Sequence, residues 1–262
     1  RGCTDTLIKF GTLASERDET YKGLIDDLQT RHHDIIDSFL PVEKQEESKE
    51  VCDGLFDSLR SIAQGVYLLG ELSPASLDAI QSFGELWSTK ILATKLASIG
   101  IATKWIDSRQ IIRTIAKGDK NVVDIQKTYF RVNEMVETNP ITQLFVLPGF
   151  IASDKQGRTT TLGRGGSDYS ASLIGMAIDA ERIEIWTDVD GVLTADPRKV
   201  KNTKYLEKIS FEEAAEMAHR SQFCCLFCEL CFTLEFERHQ NRLPEANLVA
   251  SPLHSLISSR KI

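Results

Sequence analysis

Residues 144–198 read LFVLPGFIASDKQGRTTTLGRGGSDYSASLIGMAIDAERIEIWTDVDGVLTADPR, and this stretch decides the fold. It opens on an apolar strand, passes through a glycine-rich polar loop and a helix of small residues, and closes on a second apolar strand that ends in acids. In α/β folds the carboxyl ends of strands and the amino ends of helices meet on one rim of the sheet. Gly, Ser, Asp and Arg are delivered to that rim here, so the pattern predicts a site for an anionic, phosphate-bearing ligand.

Two loops carry the chemistry. In LGRGGSDYSA, Gly163, Gly165 and Gly166 let the backbone approach a ligand, while Ser167 and Asp168 stand where the next helix begins and its free N–H groups point outward. Arg164 adds a planar fork suited to a carboxylate or a phosphate. The competing reading is a flexible loop in which Asp168 is simply an N-cap. In WTDVDGVLTADPRK, Asp188, Asp190 and Asp196 follow the apolar strand 183–186, with Arg198 and Lys199 behind them. Acids at this density can place Mg²⁺ or bond a ribose and base, and Arg198 can meet a phosphate. A surface loop with Asp-Gly and Asp-Pro turns is the alternative.

The first third of the chain is helical. Leu24, Leu28, Ile35 and Phe39 recur at steps of three to four within residues 18–40, where Pro41 closes an amphipathic helix. His32 and His33 lie in it and fit a solvated or half-buried helix face better than a metal site. Between residues 43 and 70 a second helix carries Val51, Leu55, Leu59, Ile62, Val66 and Leu69 on one stripe. A third begins at Ser73-Pro74, cap and first turn, and stops at Gly100. Glu85 falls in the apolar segment SFGELWST, either exposed to solvent or held against a cationic ligand group, because a buried lone carboxylate is costly. The strand ATKWIDS follows, then a helix over 121–139, then the strand LFVLPGFIAS with a hairpin through 154–158. This alternation predicts an α/β protein with a mostly parallel sheet covered on both faces.

Composition narrows the function classes. With 42% apolar and 26% charged residues over 262 positions, the chain is globular rather than disordered. A net charge of −7 argues against nucleic acid as a partner, since that affinity rests on many Lys and Arg contacts. No apolar run approaches the ~20 residues of a membrane span, so no membrane partner and a cytoplasmic location are expected. Cys224, Cys225, Cys228 and Cys231 crowd into FCCLFCELCF at a spacing a metal or iron–sulfur cluster can use. Their apolar neighbours, and the lack of supporting thiols or histidines, favour buried reduced cysteines and no metal site.

Taken together and in this order, SFGELWSTK, WIDSR, PGFIASD, GRGGSDYSA and WTDVDGVLTADPR resemble the amino-acid kinase superfamily and, within it, aspartokinases. The resemblance covers roughly residues 2–218. The GRGGSDY form looks most like the kinase portion of bifunctional aspartokinase/homoserine dehydrogenases. It implies a three-layer α/β/α sandwich, ATP with Mg²⁺, and phosphorylation of the side-chain carboxylate of L-aspartate, the step that opens lysine, threonine and methionine synthesis. It also implies a homo-oligomer. By the same resemblance Glu85, Arg164, Ser167 and Asp168 bind aspartate, with Glu85 facing its amino group, Arg164 its α-carboxylate, and Arg164 and Asp168 in catalytic positions. Thr187, Asp188, Asp190, Asp196 and Arg198 fall in the nucleotide loop. Many relatives carry an aromatic residue where Leu193 stands.

Both ends depart from the family pattern. The family opens on a strand reading roughly KFGGTS, whose lysine contacts the transferred phosphoryl group, whereas Gly2-Cys3-Thr4-Asp5 matches a later GVTD-like turn. IKFGT at residues 8–12 therefore belongs to a helix, and Lys9 is not that lysine. The chain, opening on Arg1 without an initiator Met, is expected to be a piece whose sheet lacks its first strand and whose turnover of aspartate is impaired. Residues 1–218 read as an incomplete kinase domain and residues 219–262 as an atypical tail, explained by an out-of-frame or spliced segment that transcript sequencing across residues 218–222 would test. The other readings are a different amino-acid kinase of the superfamily, or a noncatalytic fragment that only binds ligand.

Overall fold

Helix signals dominate the first hundred residues, and the computed structural model forms helices there. It describes residues 2–118, 120–163, 165–186, 193–195, 200–206 and 249–251. Helices α1 (Cys3–Ser15), α2 (Tyr21–Phe39), α3 (Val42–Leu69) and α4 (Pro74–Ser98) pack on one another around Leu7, Phe10, Ile36, Phe56, Leu59, Ile80 and Trp87. The Ser73 hydroxyl accepts from the Ser76 N–H and Pro74 occupies the first turn, as the sequence predicts. Gly70 (φ 69°) and Gly100 (φ 88°) end α3 and α4 in the left-handed conformation that glycine adopts without penalty. Lys9 is exposed on α1, inside a helix as expected.

The buried faces of α2 and α3 differ from the predicted stripes. In α2, Tyr21, Ile25, Leu28, His32 and Ile36 are buried, whereas Ile35 and Phe39 are 38% and 41% exposed. In α3 the buried set is Cys52, Phe56, Leu59, Ala63 and Val66, and Val51 and Leu69 face outward. Leu28, Leu59 and Val66 lie on both the predicted and the buried faces, so each stripe turns by less than one residue step, roughly 50–70°, toward residues left out of the aliphatic count (His32, Cys52, Phe56 and Ala63). His32 satisfies its ring through Nδ1 and the Leu28 carbonyl at 2.7 Å and packs 4.8 Å from Trp87, which stacks on Phe56 at 4.1 Å. His33 Nε2 meets Asp53 Oδ1 at 2.7 Å. His32 is thus more deeply buried than expected, and no group of three potential metal ligands occurs among the described residues.

Beyond Gly100 the chain alternates strand and helix. Strand β1 (Thr103–Trp105) pairs in parallel with β4 (Leu144–Val146), Lys104 opposite Phe145. Between them lie α5 (Ser108–Ile111), the antiparallel pair β2 (Thr114–Lys117) and β3 (Lys120–Val123), and α6 (Ile125–Glu137). The helix predicted over 121–139 therefore starts later: residues 120–123 pair with β2, and Asp124 caps α6 by accepting from the Lys127 N–H. The segment LFVLPGFIAS is two strands rather than one, since Pro148-Gly149-Phe150 separates β4 from β5 (Ile151–Ser153). The predicted hairpin forms as β5 and β6 (Thr159–Thr161). Helix α7 (Gly166–Ala177) leads to β7 (Glu184–Trp186), which pairs in parallel with β8 (Val249–Ser251). A strand thus forms within residues 219–262, where no periodicity was expected.

Helices cover both sides of these strands. Trp105, Phe150 and Ile151 pack into the α1–α4 core, whereas Phe145 and Leu147 pack with Val132, Met135 and Ile174 of α6 and α7. This is the expected α/β/α layering. No helix among the described residues is long and apolar enough to cross a membrane.

Two outcomes follow from the bundle core. Phe56→Ala removes a fully buried ring stacked on Trp87, and denaturant unfolding should show a loss of about 3–5 kcal/mol. Burial holds the His32 pKa below its ordinary 6.5. The unfolded chain then binds a proton that the folded chain refuses, so stability is full above pH 6.5 and falls as pH drops through 6.5 toward the lowered folded value. His32→Leu should flatten that part of a stability profile measured between pH 7 and 5.

Candidate functional site

Two chain segments touch backbone to backbone at the carboxyl end of β4. A Cβ on Gly149 would lie 2.9 Å from Ser167 Cα, and one on Gly166 would lie 2.9 Å from Phe150 Cδ2 and 3.2 Å from Phe150 Cα. Only residues without a side chain permit this approach of the post-β4 turn to the amino end of α7. Phe150 takes a left-handed backbone (φ 69°), costly for a residue with a Cβ. Three hydrogen bonds hold it there: its N–H donates to Ser170 Oγ at 3.0 Å, its carbonyl accepts from Leu162 N–H at 2.8 Å, and Ser170 Oγ donates to the Gly166 carbonyl at 2.8 Å. Strained backbone retained by its surroundings in this way is characteristic of ligand sites.

The start of α7 carries Ser167 and Asp168. Its N-cap is Gly165 (φ 72°) and provides no side-chain acceptor, so the helix begins without a side-chain cap and its dipole is left to attract an anion. Asp168 lies in the first turn and is half-buried, three residues past the N-cap Gly165 and so not an N-cap itself, and Ser167 is exposed beside Gly149.

Glu85 comes from the other side of the sheet. It is half-buried on α4, next to Gly84, which packs against Cys3 and Leu7 of α1. Burial raises the Cys3 thiol pKa, and the Glu85 carboxylate adds to that rise. Asp78 and Thr89 share the Glu85 face of α4 by helical periodicity and tie it to two strands. Asp78 accepts from Thr161 Oγ1 at 2.7 Å and Thr161 N–H at 3.2 Å, and Thr89 Oγ1 accepts from Trp105 Nε1 at 2.9 Å. Desolvation raises the Asp78 pKa against the opposing pull of the Thr161 bonds. Glu85 is therefore carried on the sheet-facing side of α4, between its anchors on β6 and β1.

Of the predicted site residues, the structure brings Ser167 and Asp168 to the β4–α7 junction and Glu85 to the sheet-facing side of α4. Arg164, Thr187, Asp188, Asp190, Asp196 and Arg198 lie outside the described residues, as does the cysteine cluster 224–231. In sequence Thr187 directly follows β7, and Leu193, between Asp190 and Asp196, bridges Tyr205. Sequence reasoning did not single out Asp78, Gly149, Phe150 or Ser170. Pro148-Gly149, inside the stretch read as one strand, was the turn signal that could have found Gly149 and Phe150, whereas Asp78 bonds a residue 83 positions away and left no local trace.

Gly149→Ala forces a methyl group against Ser167 backbone, so thermal unfolding should register a loss of about 1–3 kcal/mol. Gly157→Ala, whose Cβ would meet nothing within 4 Å, controls for backbone strain alone at φ 79°.

Comparison with known proteins places the chain. The family model described as Amino acid kinase family matches residues 4–223. The chain is 30% identical over 217 residues to the chloroplastic bifunctional aspartokinase/homoserine dehydrogenase 2 of Arabidopsis thaliana, covering 82% of this chain and 24% of that protein. It is 38% identical over 170 residues to the lysine-sensitive aspartokinase 3 of Escherichia coli, covering 65% of this chain and 37% of that one. The crystal structure of E. coli aspartokinase III in complex with aspartate and ADP superposes with a TM-score of 0.78 at 29% identity, covering 95% of this chain and 53% of that one. The chain thus spans about a quarter to a half of the length of these relatives. It belongs to the amino acid kinase family, and the members it resembles are aspartokinases.

Proposed function

We propose that residues 1–218 form the catalytic part of an aspartate kinase, which transfers the γ-phosphoryl group of ATP to the side-chain carboxylate of L-aspartate and gives 4-phospho-L-aspartate. The observation that carries this reading is the glycine-bracketed junction of the post-β4 turn with an α7 amino end that lacks a side-chain cap and bears Ser167 and Asp168. Its setting supports it, because a relative of the same fold was solved with aspartate and ADP.

The physical difficulty of the reaction is charge. A carboxylate approaching a γ-phosphate at about 4 Å is opposed by ~4 kcal/mol at an effective dielectric near 20. Catalysis is then mainly the placement of positive charge and dipoles. In this reading the α7 amino end and Arg164 receive the anionic groups of the amino acid, Glu85 meets its ammonium group, and Ser167 and Asp168 orient the reacting carboxylate. Thr187, Asp188, Asp190, Asp196 and Arg198 hold ATP. Mg²⁺ would accompany ATP and neutralise phosphate charge. The reading places the step in the cytoplasm, at the head of lysine, threonine and methionine synthesis, in a homo-oligomeric enzyme.

A coupled ADP-release assay on the 262-residue chain tests the reading. ADP release should require L-aspartate, and glutamate should not replace it. Glu85→Gln should raise the KM for aspartate roughly 10- to 100-fold with little change for ATP, the scale of a charge-assisted hydrogen bond. Asp168→Asn should lower kcat by roughly 100-fold. ADP release that ignores aspartate, or a Glu85→Gln variant with an unchanged KM, would sink the assignment.

A further inference from the structure

The tip of the β5–β6 hairpin borders an open cavity of about 450 Å³ that no part of the proposed kinase site uses. Three guanidinium groups line it: Arg109 from α5, Arg113 at the start of β2, and Arg131 from α6. Ser153, Gly157 and Thr159 of the hairpin complete the wall.

The charges there do not balance among the described residues. Arg109 pairs with Asp107 (Nη2 to Oδ2, 2.6 Å) and donates through Nη1 to Thr159 Oγ1 at 3.3 Å. Arg113 donates only to neutral acceptors, Ser153 Oγ and the Asp154 carbonyl, both at 2.5 Å, and the Arg109 carbonyl at 3.4 Å. The nearby Asp154 carboxylate is committed elsewhere, to Arg158 Nε at 2.7 Å and to the N–H groups of Gln156 and Arg158. Arg131 is exposed and forms no ion pair with any described carboxylate. Three positive groups thus face one carboxylate, a local excess of two charges on a chain whose net charge is −7. Arginine does not relieve such crowding by losing its proton. A bound anion does.

We propose that this cavity is a second anion site and that its ligand is a small phosphate-bearing dianion. The two-charge excess matches a dianion. One side of the Arg109 fork is already taken by Asp107 and both Arg113 ends are engaged, so a ligand meets single donors from three separate elements rather than one open fork. That arrangement suits the diverging oxygens of a tetrahedral phosphate better than a planar carboxylate, which prefers one bidentate guanidinium.

The test titrates inorganic phosphate, above its second pKa where it is a tetrahedral dianion, into the whole chain by calorimetry, with ³¹P resonance as a second readout. Arg131→Gln is the variant of choice, because the side chain is exposed and lies outside the proposed catalytic machinery. Wild type should bind phosphate, Arg131→Gln should weaken it roughly 10-fold with an unchanged melting temperature, and Arg131→Lys should retain most of the affinity. Binding should persist at an ATP concentration that just fills the nucleotide site. Equal affinity in Arg131→Gln, loss of phosphate binding at that ATP concentration, or tighter binding of the dianion malonate than of phosphate would each overturn the proposal. The aspartate dependence of ADP release reports on the kinase reading separately, since neither result requires the other.

Discussion

The fold turns on one close approach: the turn after β4 and the first turn of α7 meet with no side chain between them. Gly149 and Gly166 stand on opposite sides of that contact, and each would collide with backbone or with an aromatic ring if it carried a Cβ. A helix packed at ordinary side-chain separation would place its amino end several ångströms farther from the strand. The contact therefore aims the helix dipole and the two polar residues of its first turn at the rim of the sheet. Ser170 fastens it from within, accepting from Phe150 and donating to Gly166.

Helix α4 is held against the strands at two points. Its N-terminal half is tied to β6 through Asp78 and Thr161, and its C-terminal half to β1 through Thr89 and Trp105. Lys90 lies 3.7 Å over the Trp105 ring, and burial lowers its pKa despite the pull of Asp107. With both halves anchored, the part of the helix that carries Glu85 has little freedom to rotate. In the proposed reading, such a fixed carboxylate is what the cationic end of an amino-acid substrate would require.

Local chemistry was legible in the sequence, and long-range chemistry was not. Ser73-Pro74, Gly70 and Gly100 announced their helix ends because capping depends on residues within one turn. The glycine-rich loop and Asp168 were readable for the same reason. The buried faces of α2 and α3 were read partly off centre, since the aliphatic count passed over His32, Phe56 and Ala63, and over Cys52 although cysteine is among the residue types most often buried. Strand β3 was absorbed into a helix, because Asn121-Val122-Val123 continues the apolar spacing of α6 and only the pairing with β2 separates them. Asp78 escaped notice altogether: its partner, Thr161, is distant in sequence, and nothing in the local pattern around either residue records the bond.

Phe150 illustrates a bind for anyone altering this protein. Its backbone angle is one that glycine would adopt freely, yet its ring packs into the α1–α4 core and its main chain is bonded on both sides. Glycine would relax the peptide and empty the pocket, while isoleucine or valine would fill part of the pocket and worsen the angle. Mutational tolerance at this position is consequently narrow in both directions, and libraries built on size or on backbone preference alone would each miss the residue that satisfies the two demands at once.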